Sequence, residues 1–343
     1  MLKVNRLNIF LPTYPQNQVF DSRDIAYHKS NQNKLKSDNF FNIIHNKNLF
    51  KIILNWKTAC DNNEYEKYPN KTFLLDIKSD KSFFRGILCG VSSNMLDKQI
   101  VSPHEKVFEK RVEKLKTYLA NVKIQAEPVV FATNFSKEIN ANIEETVAKK
   151  PIKDFTYNNI SYSIRELDIK DSINHFNRFY IVDGHHRTSS LKLFSNSSNE
   201  EFQLLTFLTD INDIESDKFS WKTTNPSKSL INSINKLSKS FHKPDPQKFW
   251  INYKQEYYLI DEFHIGKMTI NNFEKWIIQF GDKINRYHFK NNDMPNSPNS
   301  VTYNFPTLTF DQIVKTINNN KTFPKKTTYL EPKMLTGLFV SEL

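Results

Sequence analysis

Apolar positions along the chain fall into short runs with two recurring periods, and the first 70 residues show neither period well. In that polar, broken stretch only 49–56 (LFKIILNW) has the spacing of a helix that docks on a core. Residues 72–77 and 83–91 read as the two strands of a hairpin turned through Asp80 and Lys81. Gly86 and Gly90 in the second strand mark bulges or the close approach of another group. Over 108–122 (FEKRVEKLKTYLANV), Val112, Leu115, Leu119 and Val122 recur at intervals of three and four, which predicts a helix with one apolar and one charged face. Strands follow at 128–132, 160–164 and 178–182, then a helix over 188–194 and a strand at 202–208. That order predicts an α/β chain of mixed α+β character. Beyond 225 the pattern gives a helix over 227–240, a hairpin over 249–260 (FWINY-KQ-EYYLI), helices near 270–280 and 309–319, and a strand at 338–340. Asn/Lys/Ser-rich stretches near 30–48, 194–200 and 291–300 read as loops.

Composition narrows the functional classes. The 343 residues suit two or three packed units, and 48 Lys+Arg against 37 Asp+Glu leave a formal charge of +11. Such an excess invites a nucleic-acid reading. The lysines are dispersed, however, and on the basic helix they alternate with Glu109 and Glu113 as on an ordinary solvated face, so nucleic acid is not an expected partner. Six glycines leave little material for glycine-rich nucleotide loops. Gly266-Lys267-Met268-Thr269 imitates the tail of a P-loop, yet Asp261 stands where its first glycine belongs and Met268 replaces the required hydroxyl. Cys60 and Cys89 cannot make a disulfide framework or a cysteine-rich zinc site. With no apolar leader or membrane span either, the expected setting is the cytoplasm, without an anchor.

Chemistry concentrates at 181–190. Asp183 ends a hydrophobic strand, Gly184 lets the backbone turn tightly and lets a ligand approach, and His185, His186 and Arg187 supply donors. A helix starting near Thr188 adds its free N–H groups, and together these describe an anion site that suits phosphate best. A solvated loop whose Asp183 merely caps the helix is the bland alternative. Transition-metal binding is disfavoured, because adjacent His side chains diverge and no His pair stands four residues apart on a helix. Mg²⁺ carried by a nucleotide, touching Asp183 directly or through water, fits better. A second cluster, Pro103-His104-Glu105, precedes the basic helix. Glu105 either favours the helix dipole or, if it faces the anion site, takes a proton from an attacking hydroxyl. Arg111 pairs with Glu105, with phosphate, or with solvent.

Three stretches resemble the DUF1015 family, whose core is similar to the ParB/sulfiredoxin fold and which includes the free-serine kinases. They are RGILCGVSS with IVSPHEKVFEKRVEKL (85–115), FYIVDGHHRTSS (179–190) and TTYLEPKMLTGLFV (327–340), and they stand in the family's order. The resemblance implies a ParB/sulfiredoxin-like nucleotide-binding core over 81–210, a divergent N-terminal segment over 1–80 that packs on it, and a C-terminal α+β subdomain over 211–343. It implies that Gly184, His185, His186, Arg187 and Thr188 hold nucleotide phosphates, with Asp183 at the reacting centre and near Mg²⁺. Glu105 becomes the base on the acceptor hydroxyl, and His104 and Arg111 shape the substrate site. The expected activity is ATP- or ADP-dependent phosphorylation of a small-molecule hydroxyl, most simply free L-serine to O-phospho-L-serine. The alternative is a non-catalytic ParB-like nucleotide-binding module that engages DNA or a protein partner.

Overall fold

Among the described residues, hydrophobic runs of alternating and continuous type assemble into a large mixed sheet and two smaller sheets. The computed structural model describes residues 3–31, 35, 39–97, 100–170, 174–287 and 299–343. The chain divides into two units, Met1–Pro103, Val107–Ile214 and Glu331–Leu343 forming the first, His104–Lys106 and Glu215–Leu330 the second. Eleven α-helices among the described residues and the mixed sheet make it an α/β protein.

Among the described residues the first unit holds eleven strands in one sheet. Its path runs Val101–Ser102, Phe179–Asp183, Val129–Thr133, Gln203–Asp210, Phe83–Ser92, Tyr65–Lys78, Leu7–Pro12, Val340–Glu342 and Ile124–Gln125, and the hairpin Lys153–Tyr157 with Ile160–Leu167 branches from Tyr65–Lys78. Gln203–Asp210 runs parallel to Val129–Thr133, and Val101–Ser102 parallel to Phe179–Asp183; the other pairings are antiparallel. The expected hairpin across Asp80 and Lys81 is present, with Phe73 opposite Leu88 and Lys78 opposite Phe83. Its two glycines mark close approach and not bulges, since the register is unbroken. A Cβ on Gly86 would lie 2.6 Å from the Leu208 carbonyl oxygen, and one on Gly90 2.8 Å from a Leu7 methyl. The helices Glu109–Val122, Lys137–Val147 and His185–Ser198 bury Leu119, Ile139, Ile143, Leu191 and Phe194 in the core with Leu74, Ile87, Phe131 and Leu208. A satellite core gathers Phe10, Phe40, Phe41 and Tyr65 around Trp56 of the helix Leu49–Asp61.

The second unit is a six-stranded antiparallel sheet in the order Lys239–Ser240, Glu256–Leu259, Trp250–Tyr253, Ser300–Asn304, Ser220–Thr224, Asn285–Tyr287, packed against the helices Ile270–Ile278 and Phe310–Asn318. The hairpin expected at 249–260 closes through Lys254 and Gln255, both with positive φ (50° and 65°), as a two-residue turn matched to strand twist requires. Two expectations need correction. The helix of 227–240 stops at Ile234. The loop expected at 194–200 is helical to Ser198, where Asn199 at φ 56° ends the helix. The loop expected at 291–300 lies largely outside the described residues, and that at 30–48 in part; Phe40–Ile44 within it is a helix capped by Asn39.

Candidate functional site

The strand Phe179–Asp183 buries its first four residues, and Asp183, still paired opposite Val130 at its carboxyl end, is half-buried. Gly184 follows in the left-handed region at φ 93°. A side chain there would be strained, and its Cβ would meet Val129 Cγ1 at 2.6 Å. The glycine is thus demanded by the turn and by the close packing of Val129. The helix begins at His185, three residues earlier than the sequence pattern indicates, because Gly184 itself is the N-cap. The motif therefore forms the first helical turn, and the positive end of a 14-residue helix falls within it.

The motif's side chains divide their tasks. His185 is buried. His186 Nε2 accepts a hydrogen bond from the Phe108 N–H at 2.9 Å, and its ring stacks on Phe108 with planes 8° apart. Thr188 is turned inward; both its N–H (2.9 Å) and its hydroxyl (3.1 Å) donate to the Gly184 carbonyl. Arg187 spends its fork on the protein itself. It donates to Asp183 Oδ2 at 2.6 Å and to the carbonyls of Glu127 and Pro128, and pairs with Glu127 Oε1 at 2.9 Å. Lys333 holds the other oxygen of Asp183. Thr336 donates to Glu127 Oε2 at 3.1 Å. The result is a network of two carboxylates, two cations and a hydroxyl beside the helix end.

Sequence reasoning missed Lys333, Glu127 and Thr336. Lys333 and Thr336 stand in the closing run that resembles the family, but the Lys333–Asp183 bond joins residues 150 apart, which no local pattern reveals. Both oxygens of Asp183 accept from cations, so direct Mg²⁺ coordination does not fit this arrangement. Among the described residues no group of three His, Cys, Asp or Glu is placed to hold a metal ion. Likewise, no helix among them is long and apolar enough to cross a membrane. Arg111 lies on the exposed face of Glu109–Val122, with no hydrogen bond or ion pair from its side chain among the described residues.

The second cluster is built in the second unit. The segment 104–106 pairs with Phe323, whose N–H donates to the His104 carbonyl at 2.8 Å and whose carbonyl accepts from Lys106 at 3.3 Å. His104 Nε2 lies 2.6 Å from the Thr328 hydroxyl, and Glu105 Oε2 accepts from the Thr327 N–H at 3.4 Å. Both side chains are buried. Arg286 contributes positive potential there: burial pulls its pKa down, while Glu274, to which it donates at 2.5 Å, and Glu105 favour its charge. Burial pushes the Glu274 carboxyl up, opposed by Arg286, Lys106 and Lys325.

The solved structures that the chain is distantly similar to include the following three. The C-terminally truncated SbnI of Staphylococcus aureus is 13% identical, with a TM-score of 0.45 over 71% of this chain and 82% of that one. A free serine kinase variant in complex with ADP is 12% identical, with a TM-score of 0.43 over 73% and 91%. A conserved hypothetical protein from Pyrococcus furiosus is 11% identical, with a TM-score of 0.42 over 73% and 94%. No curated protein matches the chain. Residues 55–216, which include both the His-Glu and the Asp-Gly-His-His-Arg motifs, match the family model described as protein of unknown function, DUF1015, and this match supports the family that the three motifs resemble.

Proposed function

We propose that this protein belongs to the DUF1015 family and is a nucleotide-dependent kinase that phosphorylates the hydroxyl of a small molecule, free L-serine being the simplest acceptor. The observation that carries the reading is the junction at Asp183–His185, where a strand end, a left-handed glycine and a helix start put backbone N–H groups and the positive helix end at one point. Phosphoryl transfer asks mainly for positioned phosphates, neutralised charge and an oriented hydroxyl. In this reading the first turn from His185 binds phosphate oxygens through its backbone, and ATP or ADP enters with its own Mg²⁺. Lys333 is the cation beside the phosphates, and Arg187 fixes Asp183 and the strand preceding it. Glu105 serves as base, a role supported by the family resemblance; in the chain it stands three residues before Phe108, the residue bonded to His186. His104 orients the acceptor.

The test is direct. Purified protein is incubated with ATP or ADP, Mg²⁺ and a pool of amino acids and hydroxy-metabolites, and phosphorylated products are read by mass spectrometry. O-phosphoserine is expected, and Glu105→Gln should lower turnover at least about 100-fold while nucleotide affinity stays nearly unchanged. Nucleotide binding with no phosphorylated product from the pool would instead favour the non-catalytic module, and unchanged turnover in the variant would remove Glu105 from the chemistry.

A further inference from the structure

We propose that a cavity in the first unit, between the helices Glu109–Val122 and His185–Ser198, is a binding site for an uncharged, mostly apolar ring compound of about two fused rings. The cavity measures about 250 Å³. An aliphatic cavity of about 150 Å³ holds benzene, so this one has room for a second ring. Leu115 and Leu119 line it from the first helix, and Ile124, Val129 and Leu204 from the sheet.

Its polar neighbours are already engaged. Arg187 is held by Asp183, Glu127 and two carbonyls; Glu127 accepts from Arg187 and Thr336. Ser190 donates to the Arg187 carbonyl at 2.9 Å, and Gln125 donates to the Gln203 carbonyl and accepts from the Leu205 N–H. A phosphate or carboxylate entering the cavity would have to break these bonds. Tyr118 is different. It lines the cavity, and its hydroxyl has no hydrogen-bond partner among the described residues. A phenol is a proton donor at neutral pH, and burial pushes the Tyr118 pKa further up. An occupant with one acceptor atom on an otherwise apolar ring satisfies it. That chemistry has two sources, the base of a nucleotide or a separate small molecule, and the inference stands without the kinase reading.

Quinoline, neutral at pH 8 with one ring nitrogen, is the probe, titrated calorimetrically into the full chain. Saturable one-to-one binding is expected. Tyr118→Phe should weaken it roughly 2- to 10-fold, the worth of one hydrogen bond. Ala126→Phe, which fills the cavity from a lining position, should abolish it while thermal unfolding stays cooperative. Displacement of quinoline by ATP assigns the cavity to the nucleotide base, and simultaneous binding assigns it to a separate molecule; both support the site. Absence of saturable binding to the wild-type chain, or undiminished binding to a folded Ala126→Phe variant, overturns it. Where Ala126→Phe does not fold, unchanged affinity in Tyr118→Phe overturns it equally.

Discussion

His28 shows what an apolar surrounding does to a single titratable ring. It is buried at 6% exposure among Phe20, Tyr27 and Phe41, and neither ring nitrogen has a hydrogen-bond partner among the described residues. Burial lowers its pKa from 6.5, partly opposed by Asp24 and Asp21. The folded chain therefore takes up this proton less readily than the unfolded chain, so stability is lost as pH falls below about 6.5. Urea unfolding at pH 7.5 and pH 5.5 should show this loss, and His28→Phe should reduce it. An identical pH dependence in the variant would place the titration elsewhere. Arg187 shows the opposite relation between sequence and structure. Its position beside two histidines suggested a fork for phosphate, but only the fold reveals Glu127 and Asp183 on either side of it. Residue type was legible in the sequence; the partner of that residue, set by a strand starting 58 positions earlier, was not.

At the scale of elements, Gly184 carries more structure than any neighbour. It ends a strand, caps a helix in the left-handed region and abuts Val129. Gly184→Ala adds backbone strain and a 2.6 Å overlap with the Val129 methyl, and should cost about 2–4 kcal/mol. The denaturation midpoint measures this, with wild-type-like stability sinking the account. The helix start moved from Thr188 to His185 for the same reason, since a positive-φ N-cap leaves no signature in hydrophobic period. Elements with strong local pattern were legible: the helix Glu109–Val122, with an apolar face at intervals of three and four, and the hairpins of 72–91 and 249–260. Others were not. Leu7–Pro12 is a strand only through partners at 65–71 and 340–341, and Lys137–Val147 is a short helix started by a Ser136 cap.

At the scale of the whole molecule, the two units keep separate hydrophobic cores, and this separation makes a folding prediction. The second unit packs Trp221, Ile251, Phe273, Ile277, Tyr303 and Phe305 at 0–2% exposure. Phe273 meets Phe249 edge-on at 5.2 Å and Tyr303 at 6.1 Å. Burial of this kind is independent of net charge, and the +11 of the chain is carried largely by dispersed lysines. Among the described residues, those of 215–330 supply the six-stranded sheet and four α-helices of this unit, and lack only 104–106, which add the His104–Thr328 and Glu105–Thr327 bonds. A fragment of 215–330 should therefore unfold in urea as a single cooperative transition. Phe273→Ala, which empties the centre of its core, should lower its stability by about 3–5 kcal/mol. A non-cooperative fragment would mean that the second core depends on the rest of the chain. A cooperative one with an unaffected Phe273→Ala variant would mean that the core is packed around another centre.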